Sequence, residues 1–207
     1  NKVNSKIIAD LSSILGEDYV IYDPVTLNEY GKDHTENLVF PPEVLVKPSS
    51  TDQVARILLL AQNENIPVTA IGARTGLSGG CLSVHGGIGL SMERFNKIIH
   101  IDCDNMQVVV EPGVITEELQ NEVAKDGLYY APDPASKGSC FIGGNIAENS
   151  GGPRALKYGV TKDFVLNLEV VLPNGNIIQT GANTLKNSTG YNLTQLMVGS
   201  EGTLGIV

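Results

Sequence analysis

Hydrophobic positions recur along this chain with two different periods. Ile7, Ile8, Leu11, Ile14 and Leu15 fall at helical spacing, and Gly16 follows as a natural C-terminal stop. That pattern predicts a first amphipathic helix serving as scaffold. Tyr19 to Phe40 is mixed and polar, with Pro24, Gly31, Pro41 and Pro42 as breakers, and reads as an irregular connection. Val44, Leu45 and Val46 predict a short strand ended by Pro48. Ser50 with Gln53 resembles a capping box, and Val54, Ile57, Leu58 and Ala61 supply the stripe of a helix ended by Asn65 and Pro67. Pro67 to Ile71 then reads as a strand, giving strand–helix–strand.

Further on, Gly89 to Met92, Lys97 to Asp102 and Gln107 to Glu111 read as strands. Thr116 is placed as the cap of a short helix through Ala124, with Leu119 and Val123 on one face and Gly127 past its end. Leu166, Leu168, Val170 and Leu172 alternate with their neighbours, and Asn176 to Thr180 returns after Pro173-Asn174-Gly175, which is a hairpin signal. Asn192 to Val198 predicts a short helix, and Gly199 to Val207 a turn leading into an apolar strand.

Two stretches break these periods. Ile71 to Gly80 reads I-G-A-R-T-G-L-S-G-G. Glycine costs about 1 kcal/mol in a helix interior relative to alanine, and it gives a strand nothing to pack. Such a run does well at bringing bare N–H groups close to a large anion. Tyr130 to Tyr158 is the second stretch, long, polar and glycine-rich, and segments of that kind inside a compact domain are usually functional.

Composition narrows the ligand. Hydrophobic residues make up 42%, enough for a core, and the formal net charge is −9. An acidic chain argues against nucleic acid, which needs clustered Lys and Arg, but not against a dinucleotide held by backbone amides. No apolar run approaches the ~20 residues of a membrane span. No signal peptide is visible, and the first residue is Asn1 rather than Met, so the start is expected to be trimmed. Cys81, Cys103 and Cys140 form no C-x-x-C, which predicts reduced cysteines acting as small buried hydrophobes in a cytoplasmic protein. His34, His85 and His100 are scattered, so no metal site is indicated.

Three readings of Ile71 to Gly80 compete with a bland surface loop. A Rossmann fingerprint needs a middle glycine and a following helix, and Gly72-Ala73-Arg74-Thr75-Gly76 has neither. A Walker A loop needs a lysine after its last glycine, and none follows Gly79 or Gly80. What remains is a phosphate-binding loop of another kind or a glycine-rich surface loop.

That loop is followed, in order, by P-D-P-A-S-K-G-S-C-F-I-G-G-N-I-A-E-N-S-G-G, L-E-V-V-L-P-N-G and G-S-E-G-T-L-G-I-V. With these motifs the sequence resembles the FAD-binding domain of the vanillyl-alcohol-oxidase / p-cresol-methylhydroxylase superfamily, and within it the glycolate oxidase FAD subunit and D-lactate dehydrogenase group. The resemblance runs from about Pro41 to Val207. It implies an α+β, two-lobed domain with FAD extended between lobes at about 1–104 and 105–207, the cap and C-terminal substrate domains lying outside this chain.

Carried over by position, Ala70, Ile71, Gly72, Ala73, Arg74, Thr75 and Gly76 match the first pyrophosphate loop, completed by Ser78, Gly79 and Gly80. Asp133, Pro134, Ala135, Ser136, Gly138 and Ser139 match a second wall, with Gly143, Gly144, Asn145, Ile146, Ala147, Asn149 and Gly151. Glu201, Gly202, Ile206 and Val207 match the strand closing on the adenosine half. Arg74 stands where a small residue is expected, either adding charge at the phosphate or pointing to solvent. Some members tether FAD through a histidine in the first loop. Thr75 stands at that position here, so FAD is expected to be non-covalent.

Bland readings stand beside these. Asn145, Glu148 and Asn149 suit capping or core hydrogen bonds. Arg154 and Lys157 suit a solvated face or a salt bridge, Tyr158 and Tyr191 packing, and Glu201 a turn. The resemblance further implies hydride transfer from C2 of a small 2-hydroxy acid, such as D-lactate or glycolate, to the flavin. The catalytic base and substrate clamp are not identifiable in this chain. An alternative role is a flavin-carrying electron-transfer subunit, passing electrons to a partner flavoprotein or iron–sulfur protein, peripheral at a membrane in such a complex.

Overall fold

The computed structural model describes residues 2–207. The chain divides into two compact units. The first holds the residues up to Arg94 together with Val171–Ile178 and Ile206, and the second holds Phe95–Val170, Gln179–Gly205 and Val207.

The first unit begins with helix α1, Ser5–Leu15, where Asn4 caps the helix by accepting from the Ile7 N–H. Its apolar stripe, Ile7, Leu11 and Leu15, is buried as the spacing predicts, and Gly16 ends it at φ +88°. Tyr19 to Phe40 is not irregular throughout. After a 3₁₀ turn at Glu17–Tyr19, it contains strand β1 at Val20–Ile21 and helix α2 at Pro24–Tyr30. The signal for α2 is Asp23-Pro24: Asp23 accepts from the Thr26 N–H at 2.9 Å and Pro24 takes the first helical position. Periodicity misses this helix because it buries only Leu27.

Strand β2 is Val44–Val46 and helix α3 is Thr51–Glu64. Ser50 accepts from the Gln53 N–H, while Gln53 Oε1 accepts from the Ser49 N–H, so the box closes one residue early. Asn65 ends α3 in the left-handed conformation. Strands β3, Val68–Ile71, and β4, Ile88–Ser91, complete a sheet ordered β1-β2-β4-β3. β1 runs antiparallel to β2, and β2, β4 and β3 are mutually parallel. Val44, Leu45, Val46, Ile88 and Leu90 are fully buried, and Val54, Ile57 and Leu58 of α3 are buried as well. Each such side chain contributes about 1.5–3 kcal/mol by leaving water. Parallel order places the ends of β2, β3 and β4 on one edge, and the glycine loop leaves from that edge.

The second unit contains the antiparallel pair β5, Ile98–Asp102, and β6, Gln107–Val110. Helix α4, Thr116–Ala124, follows. Thr116 is not its cap. Ile115 holds the cap position without a side-chain bond, and the Thr116 hydroxyl is buried as an acceptor for Asn145. Tyr130 to Tyr158 carries more order than its composition suggests, with α5 at Ile142–Glu148 and α6 at Ala155–Tyr158. A 3₁₀ turn follows at Thr161–Asp163.

Strands β7, Glu169–Val171, and β8, Ile177–Gln179, form the expected hairpin, with Gly175 at φ +80° in its turn. In the first unit this turn packs on α3, since a Cβ at Gly175 would lie 2.9 Å from the Ala55 carbonyl and 3.2 Å from Leu59 Cβ. Helix α7 is Leu193–Met197, capped by Asn192 accepting from the Gln195 N–H. Gly199 to Val207 forms no strand: it turns at residues 200–203, and only Ile206 bridges to Val171.

Candidate functional site

In the first unit, β3 delivers Ala70 and Ile71 to the edge of the parallel sheet, the place where ligands of such sheets bind. The Ile71 side chain is fully buried in a cluster with Leu27 and Leu45, flanked by Ile21 and Tyr30, so only its backbone faces the loop. Among the described residues, no acceptor meets the backbone N–H groups of Gly72, Ala73, Arg74, Thr75, Gly76 or Leu77. Residues 72–76 are half-buried, where an unpaired N–H is costly. The loop is otherwise well held. Gly76 accepts from the His34 N–H at 3.1 Å, Leu82 N–H donates to Gly79, and Ser83 N–H donates to Phe40. The Thr35 hydroxyl oxygen is buried without a partner, about where a Cβ on Gly79 would meet it at 4.0 Å.

The Arg74 side chain is engaged by α2 rather than left free in solvent. Its backbone is left-handed at φ +59°. Its guanidinium lies 4.4 Å from the centre of the Tyr30 ring and donates to the Glu29 carbonyl. Tyr30 in turn donates to Glu93, which also accepts from Lys47 at 2.7 Å and from Ser91 at 3.0 Å. Burial pushes the Glu93 carboxyl up, but the Lys47 ammonium and the Tyr30 hydroxyl outweigh it and hold Glu93 below the usual range. Burial pushes Lys47 down, and its bonds to Glu93 and Tyr30 bring it above its ordinary value. Burial, then the Glu93 bond, raises Tyr30.

A depressed carboxylate stabilises the fold above its unfolded pKa and loses that contribution as pH falls through its folded value. A raised lysine stabilises below its unfolded pKa and loses that as pH rises through its folded value. The pair therefore acts between the ordinary values of 4.5 and 10.5. Both groups are partly exposed, so the contribution is about 1 kcal/mol. In urea titrations, Glu93→Gln is expected to be about 1 kcal/mol less stable than the parent at pH 7, with the gap closing below pH 4. A gap independent of pH would refute the charge-pair account.

In the second unit the structure gathers Asp133–Ser139, α5 and Gly199–Gly202. Asp133 is an ion-pair hub, 3.1 Å from Lys137 and 3.3 Å from Arg154. Arg154 thus follows its salt-bridge reading, and Lys157 lies over the Tyr158 ring at 4.8 Å. Residues 135–139 form a turn on the Pro134 and Ser136 carbonyls. The N–H groups of Ala135, Ser136, Gly138 and Gly144 meet no acceptor among the described residues. Asn145 is buried and donates to Thr116 Oγ1 at 2.6 Å, which leaves its side chain a core role. Asn149 is left-handed at the end of α5 and accepts from the Lys162 N–H.

Gly199 and Glu201 donate to the carbonyls of Ile146 and Ala147, joining two distant motifs. Glu201 sits exposed at φ +51° in a turn, beside Gly202 at φ +75°. Ile206 is buried in its bridge to Val171, within the first unit, and Val207 is half-buried. Gly151 is half-buried beside Val160 and Ala155. Tyr158 pairs edge-on with Tyr129, whereas Tyr191 is 94% exposed, contrary to the packing reading. Cys140 is buried and Cys81 half-buried, but Cys103 is exposed, contrary to the buried reading.

Each unit thus presents unpaired backbone donors on a firmly held, glycine-rich frame. That is the donor set a dinucleotide's phosphates need, and the residues fit one. The FAD binding domain family matches residues 42–181.

The chain belongs to that FAD-binding family.

It is 47% identical over 178 residues to glycolate oxidase subunit GlcD of Bacillus subtilis, covering 86% of this chain and 38% of the relative. It is 43% identical over 210 residues to a D-lactate dehydrogenase of Anaerostipes hadrus, covering 100% of this chain and 43% of the relative. A solved alkyldihydroxyacetonephosphate synthase superposes with a TM-score of 0.86 at 25% identity, over 99% of this chain and 39% of the synthase. The chain spans about two-fifths of the length of these relatives. The cofactor of the family is FAD, and the α+β fold is that of the superfamily's FAD-binding domains. Tyr30, Lys47 and Glu93 escaped the sequence reading, since each sits outside the glycine motifs. Among the described residues, no helix is long and apolar enough to cross a membrane.

Proposed function

We propose that this chain is the FAD-binding part of an oxidoreductase that converts a 2-hydroxy acid of the D-lactate or glycolate type to the 2-oxo acid. The observation that carries the reading is the run of acceptor-less N–H groups from Gly72 to Leu77 at the edge of a parallel sheet. The names of the relatives, a glycolate oxidase subunit and a D-lactate dehydrogenase, point to the substrate class. Bound FAD supplies, at N5, the acceptor for a hydride leaving C2 of the hydroxy acid.

The residues of this chain bind and orient. Ala70 to Gly76 with Ser78, Gly79 and Gly80 offer backbone donors to the pyrophosphate. Residues 133–139, with Gly143, Gly144 and the rest of α5, form the second wall, and Glu201 and Gly202 serve the adenosine half. The base that takes the hydroxyl proton and the clamp on the substrate carboxylate belong to parts of the enzyme outside this chain. With Thr75 in place of a tethering histidine, FAD is held non-covalently.

A second reading makes the protein a flavin-carrying subunit that hands electrons to a partner. It is favoured by the word "subunit" in the name of the Bacillus relative. Copurification of a flavoprotein or iron–sulfur partner with the full-length protein would select it.

FAD titrated into the apo chain, followed by flavin fluorescence, is expected to bind at micromolar concentration or below. Gly144→Ala sharpens the test. A Cβ there meets nothing within 4 Å, so the apo protein should melt at or slightly above the parent temperature. FAD affinity should nevertheless fall at least about tenfold, or 1.4 kcal/mol, if the cofactor occupies that space. Acid precipitation should leave the flavin in the supernatant. A colourless protein whose melting temperature ignores excess FAD would overturn the reading, and a yellow acid pellet would overturn the non-covalent part.

A further inference from the structure

Arg74 is the one charged residue in the loop Ile71–Gly80, and its side chain turns to α2. It occupies the left-handed region that arginine avoids, a conformation that persists only when its surroundings hold it. The guanidinium stacks on Tyr30 at 4.4 Å and donates to Glu29, both at the end of α2. Tyr30 is fixed from the other side by Glu93, and Glu93 by Lys47 and Ser91. The residues that follow β4 and β2 therefore brace a tyrosine that braces the loop following β3.

We propose that Arg74 is a positioning residue, a latch that docks the phosphate loop on Tyr30 of α2 and keeps the N–H groups of residues 72–77 convergent before FAD arrives. The proposal rests on the reading of this loop as the FAD phosphate site. A loop already shaped for its ligand does not lose ordering free energy on binding. A left-handed residue within a run of turns is also one way successive N–H groups come to face the same side. The guanidinium of Arg74 is seated on the Tyr30 ring, which leaves the backbone N–H groups of residues 72–77 as the donors the latch presents.

Two arms test it. In the first, FAD affinity is measured for Arg74→Gly, Tyr30→Leu and Tyr30→Phe. Arg74→Gly relieves the backbone and removes the latch, and Tyr30→Leu removes the seat while leaving the charge. Each is expected to raise the Kd about tenfold, the scale of a cation–π contact plus a hydrogen bond. Tyr30→Phe keeps the ring and loses only the Glu93 bond, so an intermediate rise of about threefold is expected. If Arg74 instead grips the phosphate, Tyr30→Leu leaves the Kd within twofold or tightens it, which overturns the latch.

In the second arm, thermolysin cleavage of the apo protein is followed at the exposed Leu77. Arg74→Gly is expected to be cut about tenfold faster than the parent at equal global stability in urea. Unchanged cleavage would overturn the latch. This arm needs no flavin, so its outcome separates failure of the latch from failure of the FAD reading. Should Tyr30→Leu not fold, Arg74→Gly and Tyr30→Phe carry both arms.

Discussion

Gly87→Ala is expected to unfold this protein or lower its melting temperature by about 10 °C or more. Gly87 sits at φ +73°, and a Cβ built there would lie 2.2 Å from the Pro67 carbonyl oxygen. No side-chain adjustment relieves that contact, because the obstructing atom is backbone. The position is also a junction. The Gly87 carbonyl accepts from Glu43 and Val44 where β2 begins, and the Pro67 carbonyl accepts from Ile88 where β4 begins. Moving either chain breaks the start of the parallel ladder. Left-handed backbone alone costs roughly 1–2 kcal/mol for a residue with a Cβ, and the clash and lost ladder bonds bring the total to about 4 kcal/mol or more. Domains are stable by only about 5–15 kcal/mol, and for this chain length each kcal/mol moves the melting temperature by about 2–4 °C. A soluble variant melting within 3 °C of the parent would show that the crossing at Pro67 is wrongly drawn.

The second large effect separates two adjacent glycines that look identical in sequence. Gly143→Ala is expected to destabilise the apo protein by about 2–3 kcal/mol, with or without cofactor chemistry. Its Cβ would lie 2.6 Å from Pro112 Cβ and 3.1 Å from the Pro112 carbonyl oxygen, which already accepts from the Gly143 N–H at 2.7 Å. Proline has no rotamer with which to retreat. Alanine's better helix propensity, about 1 kcal/mol over glycine, offsets only part of the clash. Thermal melts of the flavin-free protein would show the loss, in contrast to Gly144→Ala. Equal melting temperatures for the two variants would mean that α5 does not press on Pro112.

The amphipathic helices α1 and α3 were legible because each runs about three turns or more, with apolar residues recurring on one face. The same holds for the β7–β8 turn, since Asn-Gly forces a conformation rather than merely favouring one. Helix α2 was hidden because seven residues burying only Leu27 leave no period to count, although Asp23-Pro24 did mark its start. The glycine loop was legible as an anion site from its composition. The direction of Arg74 was not, because it depends on Tyr30, and Tyr30 lies on the helix that periodicity missed. Thr116 looked like a cap because hydroxyls often are one. Only the fold shows that Asn145, far along the chain, claims that hydroxyl instead.

The first unit is not contiguous. It reclaims Val171–Ile178 and Ile206 after the chain has passed through Phe95–Val170 of the second unit. During synthesis, a nascent chain that has emerged only as far as Arg94 lacks the hairpin turn that packs on α3 through Ala55 and Leu59. Its last contacts close a long loop, an entropic cost that grows only slowly with length but delays completion. The first unit therefore cannot be completed until the chain has passed through Phe95–Val170, and until then α3 lacks the turn that covers Ala55 and Leu59.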